Sequence, residues 1–218
     1  MKTALEQTRL LVPPSCRPTP ALFLDRDGVV IEDCHHIDVP SLVRLCRGSR
    51  KLIASAKSYG WPVVIVTNQS GISRGLFQWK DFDTVNDRMQ QLLGSDAPLA
   101  AIYANGYGPD APAHSWRKPN PQMILEASKA LNLDLQRSFL IGDRLSDLHA
   151  GASAGLFRLF HVLTGHGCRS RESVIAWHRM ASQASACVEQ SSPRLPALEL
   201  LNTLEDFELA LLKHANPA

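Results

Sequence analysis

The chain reads as an α/β protein, a three-layer doubly wound parallel sheet with helices on both faces and no separate cap domain. Short apolar runs alternate with segments of helical period, the signature of strands joined by crossover helices. Polar clusters follow several of those runs abruptly, as loops do at one rim of such a sheet. The gaps between clusters are nearly used up by the elements they must contain, which leaves no room for an inserted domain.

The first predicted strand is 21–24, ending in Asp25-Arg26-Asp27-Gly28. A helix follows over 48–58, with Leu52, Ile53 and Ala56 on one face, and then a β-branched strand over 62–66. Residues 78–93 place Phe82, Val85, Met89 and Leu92 on one helical stripe. A third strand covers 99–103. The next helix opens at Asn120-Pro121, a capping residue followed by proline at the first helical position. Strands at 139–141 and 157–163 bracket a helix that Gly155 ends. Beyond these, Val174, Trp177, His178 and Ala181 mark a helix face, a weaker helix spans 203–213, and 189–196 reads as a surface loop. Residues 1–18 read as an N-terminal surface extension. One domain then occupies 19–218, with its motifs in 20–166 and a helical region over 168–218.

Composition sets the outer limits. With 218 residues, 44% hydrophobic and 20% charged, the chain suits one soluble domain with one sizeable core. A formal net charge of +2 gives no reason to expect nucleic acid or a membrane surface as partner. The five cysteines form no CxxC pair, which fits a reducing compartment and offers neither a disulfide framework nor a zinc signature. The apolar run Leu10-Leu11-Val12 is too short for a signal core or a membrane span. A cytoplasmic protein is expected, and a monomer, since no apolar stripe is left over.

The chemistry lies in four clusters. In an open parallel sheet the ligand crevice forms beyond the carboxyl ends of the strands. Asp25 and Asp27 follow the first strand, Thr67 and Asn68 the second, and Asp143 and Asp147 the fourth, while Arg117 and Lys118 precede a helix. Carboxylates brought to one rim need a cation between them, and an all-oxygen donor set suits Mg²⁺. Arg117 and Lys118 could neutralise phosphate oxygens, with Thr67 adding a hydroxyl. A carboxylate can attack phosphorus, and a second carboxyl can protonate the leaving oxygen.

Those residues resemble the four motifs of the haloacid dehalogenase superfamily of phosphatases. The motifs are Phe23-Leu24-Asp25-Arg26-Asp27-Gly28-Val29, Thr67-Asn68-Gln69-Ser70-Gly71-Ile72, Arg117-Lys118-Pro119 and Ile141-Gly142-Asp143-Arg144-Leu145-Ser146-Asp147. The resemblance implies Asp25 as nucleophile, Asp27 as acid and base, and Thr67 and Lys118 as phosphate binders. Asp25, Asp143 and the backbone carbonyl of Asp27 would bind magnesium, with Asp147 in support. With Arg74-Gly75 included, the pattern is similar to the D-glycero-D-manno-heptose 1,7-bisphosphate 7-phosphatases, and shares much with the histidinol-phosphatases. This branch implies a small phosphorylated sugar as substrate, met by Asn68, Ser70, Arg117 and Arg144. Many of its members hold a structural zinc before the Arg-Lys-Pro motif; here that loop has His114 and no cysteine, so no zinc is expected.

Each cluster has a plainer reading when taken alone. Asp25 and Asp27 could be a turn or cap pair, Thr67-Asn68 a strand end, and Lys118 a solvated loop residue. Asp143 and Asp147 could cap the helix that follows them. The His35-His36 pair reads as exposed loop. Two other function classes remain. A receiver-type signalling module would keep its phosphorylated aspartate after the third strand, where no acidic residue directly follows 99–103. A catalytically silent binding protein would fail to turn over any phosphate ester.

Overall fold

Alternation of side chains on the central strands explains the layering. In the computed structural model, which describes residues 5–187 and 195–214, strands β2 (Leu22–Leu24), β3 (Val63–Asn68), β4 (Ala101–Asn105), β5 (Phe139–Gly142) and β6 (Arg158–His161) form a parallel sheet. Leu22, Leu24, Val63, Ile65, Ile102, Phe139 and Ile141 enter one apolar cluster, while Phe23, Val64, Val66, Tyr103 and Leu140 enter the other. Strands buried on both faces read as continuous apolar runs, and these do.

Helices α1 (Ser49–Ser58) and α2 (Trp79–Leu93) cover the first face through Leu52, Ile53, Phe82, Val85 and Met89. Helices α3 (Gln122–Leu131), α4 (Leu145–Ser153) and α5 (Gly167–Cys187) cover the second through Met123, Ile124, Leu148 and Val174. The doubly wound sandwich follows from this division. Helix α3 begins one residue later than expected: Pro121 occupies its N-cap without a side-chain cap, while Asn120 Oδ1 accepts from Gln122 N at 3.1 Å just ahead of it.

The spatial order of the strands is β1-β4-β3-β2-β5-β6-β7. The chain steps from β2 outward through β3 to β4, then crosses back to place β5 on the other side of β2. The strand order thus reverses at β2, and a crevice opens at its carboxyl end.

Two strands go beyond the sequence expectation. Within the stretch read as a surface extension, Glu6–Leu10 forms β1, antiparallel to β4. Arg9 Nη1 lies 2.6 Å from Asp87 Oδ1, and Gln7 Nε2 donates to Asp83 at 3.0 Å, which ties the strand to α2. Ala197–Leu200 forms β7, parallel to β6. Both are edge strands of mixed polarity, whose pairing partners are distant in sequence. The weak helix expected over 203–213 resolves into a 3-10 turn at Leu204–Asp206 and α6 (Leu211–His214). Most of the expected loop at 189–196 lies outside the described residues. Among the described residues, no helix is long and apolar enough to cross a membrane.

Candidate active site

Asp25 is the first residue beyond β2, and its backbone N–H continues the sheet by donating to Ile141 O at 3.1 Å. Its side chain is 7% exposed and lies at the floor of a cleft of about 620 Å³. Asp27, Thr67, Asn68, Ser70, Arg117, Lys118 and Arg144 line the same cleft. The structure therefore gathers at one rim the clusters that sequence placed after separate strands.

Lys118 is the electrostatic centre. Its Nζ donates to Asp25 Oδ1 and to Val66 O, both at 2.8 Å, and lies 2.7 Å from Asp147 Oδ1. The ammonium is 3% exposed, and burial alone would lower its pKa; the Asp147 and Asp25 carboxylates outweigh burial and raise it. Burial pushes the Asp25 carboxyl up to about 6, opposed by Lys118 and reinforced by Asp147 and Asp27. Burial, then the Asp147 and Asp25 charges, push Asp143 up to about 8.

Asp25, Asp143 and Asp147 bring one carboxylate oxygen each to within 4.8 Å of one another. Lys118 pairs with two of these acids, Asp25 and Asp147, and leaves Asp143 without a lysine partner; the donors are all oxygen, a set suited to Mg²⁺. The detailed contacts separate the two later aspartates. Asp147 Oδ1 faces Lys118, and its Oδ2 accepts from Arg144 N at 2.9 Å. Asp143 Oδ2 accepts from His166 N at 2.6 Å, but its Oδ1 is buried with no hydrogen-bond partner. That orphaned oxygen fits a cation bound beside Asp25.

Asp27 lines the same cleft but stands outside the trio. Its carboxylate is turned from the acidic trio toward Arg26, with Nε and Nη2 at 3.1–3.3 Å, and accepts from Gln69 Nε2 at 2.7 Å. The same Gln69 nitrogen reaches Thr67 Oγ1 at 2.9 Å. Arg26 is itself 1% exposed, over the Phe82 ring and bonded to Asn86 Oδ1 at 3.2 Å. The Asp27 carboxylate is therefore not a member of the acidic cluster, which Asp147 completes.

Asn68 faces the cleft yet spends its amide on Lys118: Nδ2 donates to Lys118 O and Oδ1 accepts from Lys118 N, both at 3.1 Å. It sets the lysine loop's register. Arg117 Nη1 donates to Tyr107 O at 2.9 Å, while Arg144 is half exposed, 4.0 Å from Asp33.

Sequence reading missed Arg26, Gln69, His161 and His166. Gln69 lay inside a quoted motif, but its partners became visible only in three dimensions. Gly28 and Gly165 were also unassigned. At Gly28 (φ +84°) an added Cβ would lie 2.7 Å from Asp143 Oδ2 and 2.8 Å from Gly165 Cα, so glycine is required for the wall beside Asp143.

A doubly wound sheet with a buried aspartate, a lysine and an acidic trio at its topological switch point defines an aspartate-based phosphate hydrolase. Comparison with known proteins agrees. The HAD-hydrolase-like family profile matches residues 115–183. A D-glycero-beta-D-manno-heptose-1,7-bisphosphate 7-phosphatase of Mesorhizobium japonicum is 49% identical over 144 residues, covering 63% of this chain and 66% of that one. The corresponding alpha-D-manno enzyme of Burkholderia mallei is 39% identical over 82% of this chain and 93% of its own length. Among solved structures, a HAD-like phosphatase from Mesorhizobium loti aligns over 100% of this chain and 98% of its own, with TM-score 0.79 and 33% identity. A D,D-heptose 1,7-bisphosphate phosphatase from B. bronchiseptica, complexed with magnesium and phosphate, aligns over 90% and 97% with TM-score 0.69 and 28% identity. The chain belongs to the haloacid dehalogenase family of phosphatases, in the group that contains these heptose-bisphosphate enzymes.

Proposed function

We propose that this chain removes the 7-phosphate of D-glycero-D-manno-heptose 1,7-bisphosphate through an aspartyl-phosphate on Asp25. The observation that carries the reading is the Asp25–Lys118 contact of 2.8 Å at the floor of the cleft, beside the unpartnered Asp143 Oδ1. The names of the relatives support the substrate. Both anomers occur among them, so the reading covers either.

An Asp25 carboxylate oxygen attacks phosphorus, and the bond from phosphorus to the sugar oxygen breaks. Asp27 gives its proton to that oxygen as it leaves. Water then attacks the aspartyl-phosphate, Asp27 takes the proton, and the bond to Asp25 breaks to release inorganic phosphate. Asp27 already lines the cleft, and for both transfers its carboxyl exchanges the Arg26 contact for the reacting oxygen. Lys118 and Thr67 hold phosphate oxygens as charge shifts among them. Asn68 and Ser70 shape the phosphate side, and Arg117 and Arg144 meet the substrate at the rim. Asp25, Asp143 and the Asp27 carbonyl would hold Mg²⁺, which when bound offsets the charge of phosphate and carboxylates, with Asp147 supporting through Lys118.

Residues 19–218, with β1 added, act as one phosphatase domain, a cytoplasmic monomer. Magnesium is its metal; no structural zinc is included, because His114 is the one His or Cys between 104 and 116.

Phosphate release from a panel of esters with Mg²⁺, run beside Asp25→Asn, tests this. The panel holds both anomers of the heptose bisphosphate and histidinol phosphate. Asp25-dependent preference for a heptose bisphosphate is expected. Preference for histidinol phosphate would replace the substrate, and turnover by Asp25→Asn would sink the mechanism.

A further inference from the structure

Residues 168–200 carry no motif, yet one of their side chains reaches toward the acidic cluster through a single imidazole. His161 ends β6 beside Gly142 of β5 and is fully buried. Its Nε2 lies 3.0 Å from the backbone carbonyl of Asp143. On the opposite side, Arg171 Nε of α5 donates to His161 Nδ1 at 2.9 Å.

These neighbours decide the tautomer. A carbonyl only accepts, so Nε2 carries the proton; an arginine Nε–H only donates, so Nδ1 is bare. With one nitrogen donating and the other accepting, the ring is neutral. Arg171 is anchored in turn, since Nη2 donates to His161 O at 3.2 Å and to Leu201 O beyond β7.

Asp143 is thus held at two points. His161 fixes its carbonyl, and His166 N, from the turn that opens α5, fixes Oδ2 at 2.6 Å. What remains is Oδ1, buried and unpartnered, within reach of Asp25 and Asp147. Partners that orient a metal ligand typically change affinity by about 10–100-fold when removed.

We propose that His161, locked as its Nε2–H tautomer by Arg171, is a positioning residue that aims Asp143 Oδ1 at the magnesium site and so makes α5 part of the metal-binding apparatus. This rests on the magnesium reading above. It gives α5 a task besides covering the sheet.

The test is calorimetric titration of the full chain with Mg²⁺ alone, without substrate, for the parent and for His161→Phe, His161→Gln and Arg171→Met. His161→Phe keeps the ring volume but removes the donor, and should weaken Mg²⁺ about tenfold or more. His161→Gln can still donate from the Nε2 position and should recover most of that loss. Arg171→Met leaves the imidazole free to choose its tautomer and should weaken Mg²⁺ several-fold, which carries the test if His161→Phe fails to fold. Long-range ¹H–¹⁵N correlation on histidine-labelled parent should show the neutral Nε2–H form for His161. Mg²⁺ affinity within twofold of the parent in folded His161→Phe or Arg171→Met would overturn the inference alone. Absence of Mg²⁺ binding by the parent would overturn the magnesium reading and this inference with it.

Discussion

Lys118 Nζ lies 2.8 Å from Asp25 Oδ1, and neither side chain is more than 9% exposed. An ion pair this deep costs desolvation on both sides, so each partner depends on the other. Asp147 Oδ1, 2.7 Å from the same ammonium, turns the pair into a triad. The triad keeps Asp25 aimed at the cleft while leaving Asp143 Oδ1 for a cation.

Replacing Lys118 by Met should therefore cost stability as well as activity. Two buried carboxylates lose their cation, and breaking such a pair typically costs about 3–5 kcal/mol. Urea unfolding at pH 7 should show that loss, and a smaller one at pH 5, where the abandoned acids can protonate. Phosphate release should fall below detection.

The metal-free protein should lose stability as pH rises. Asp25 and Asp143 have folded pKa values of about 6 and about 8, above their ordinary 3.8. Both bind protons more tightly folded than unfolded. Their stabilising contribution is complete below 3.8 and is lost as pH climbs through about 6 and then about 8. Thermal unfolding in chelator should fall by several degrees between pH 5 and pH 8.5, and Mg²⁺ should reverse the fall. A midpoint that rises over this range would contradict the assignment.

Asp27→Asn should lower kcat about 10²–10⁴-fold with little change in KM, the usual range for a lost acid–base group. Far-UV circular dichroism should be unchanged, since the amide can still accept from Arg26. Equal activity in this variant would remove Asp27 from proton transfer.

Gly28→Ala should damage the site through geometry alone. The new Cβ would meet Asp143 Oδ2 at 2.7 Å on a backbone at φ +84°. Strain of about 1–3 kcal/mol is expected in chemical unfolding, with a raised Mg²⁺ requirement for turnover. Gly75→Ala is the control: φ is +68°, but nothing lies within 4 Å of its Cβ position, so only backbone strain should appear. If the two variants shift the Mg²⁺ requirement equally, the wall beside Asp143 has no special part.

How much was legible follows from the range of each signal. Strands β2 to β6 are apolar runs because both faces are covered, and a run is a local property. Strands β1 and β7 hide because Glu6–Leu10 and Ala197–Leu200 lie at the sheet edges, where one flank meets solvent and polar residues are tolerated. Their only clue is a partner strand far along the chain.

The site divides in the same way. Asp25, Thr67, Lys118 and Asp143 stand at the ends of strands or in the loops between elements, so alternating elements alone brought them to one rim. Sequence by itself determined the fold class, the rim and the kind of chemistry it supports, since these depend on residue type and order. Only the tertiary structure decided that the Asp27 carboxylate rests on Arg26 and Gln69, that Asp147 closes the triad, and that His161 grips Asp143. Those are choices among partners within a few ångströms, settled by packing and by which buried polar atom lacks a mate, and no local pattern encodes them.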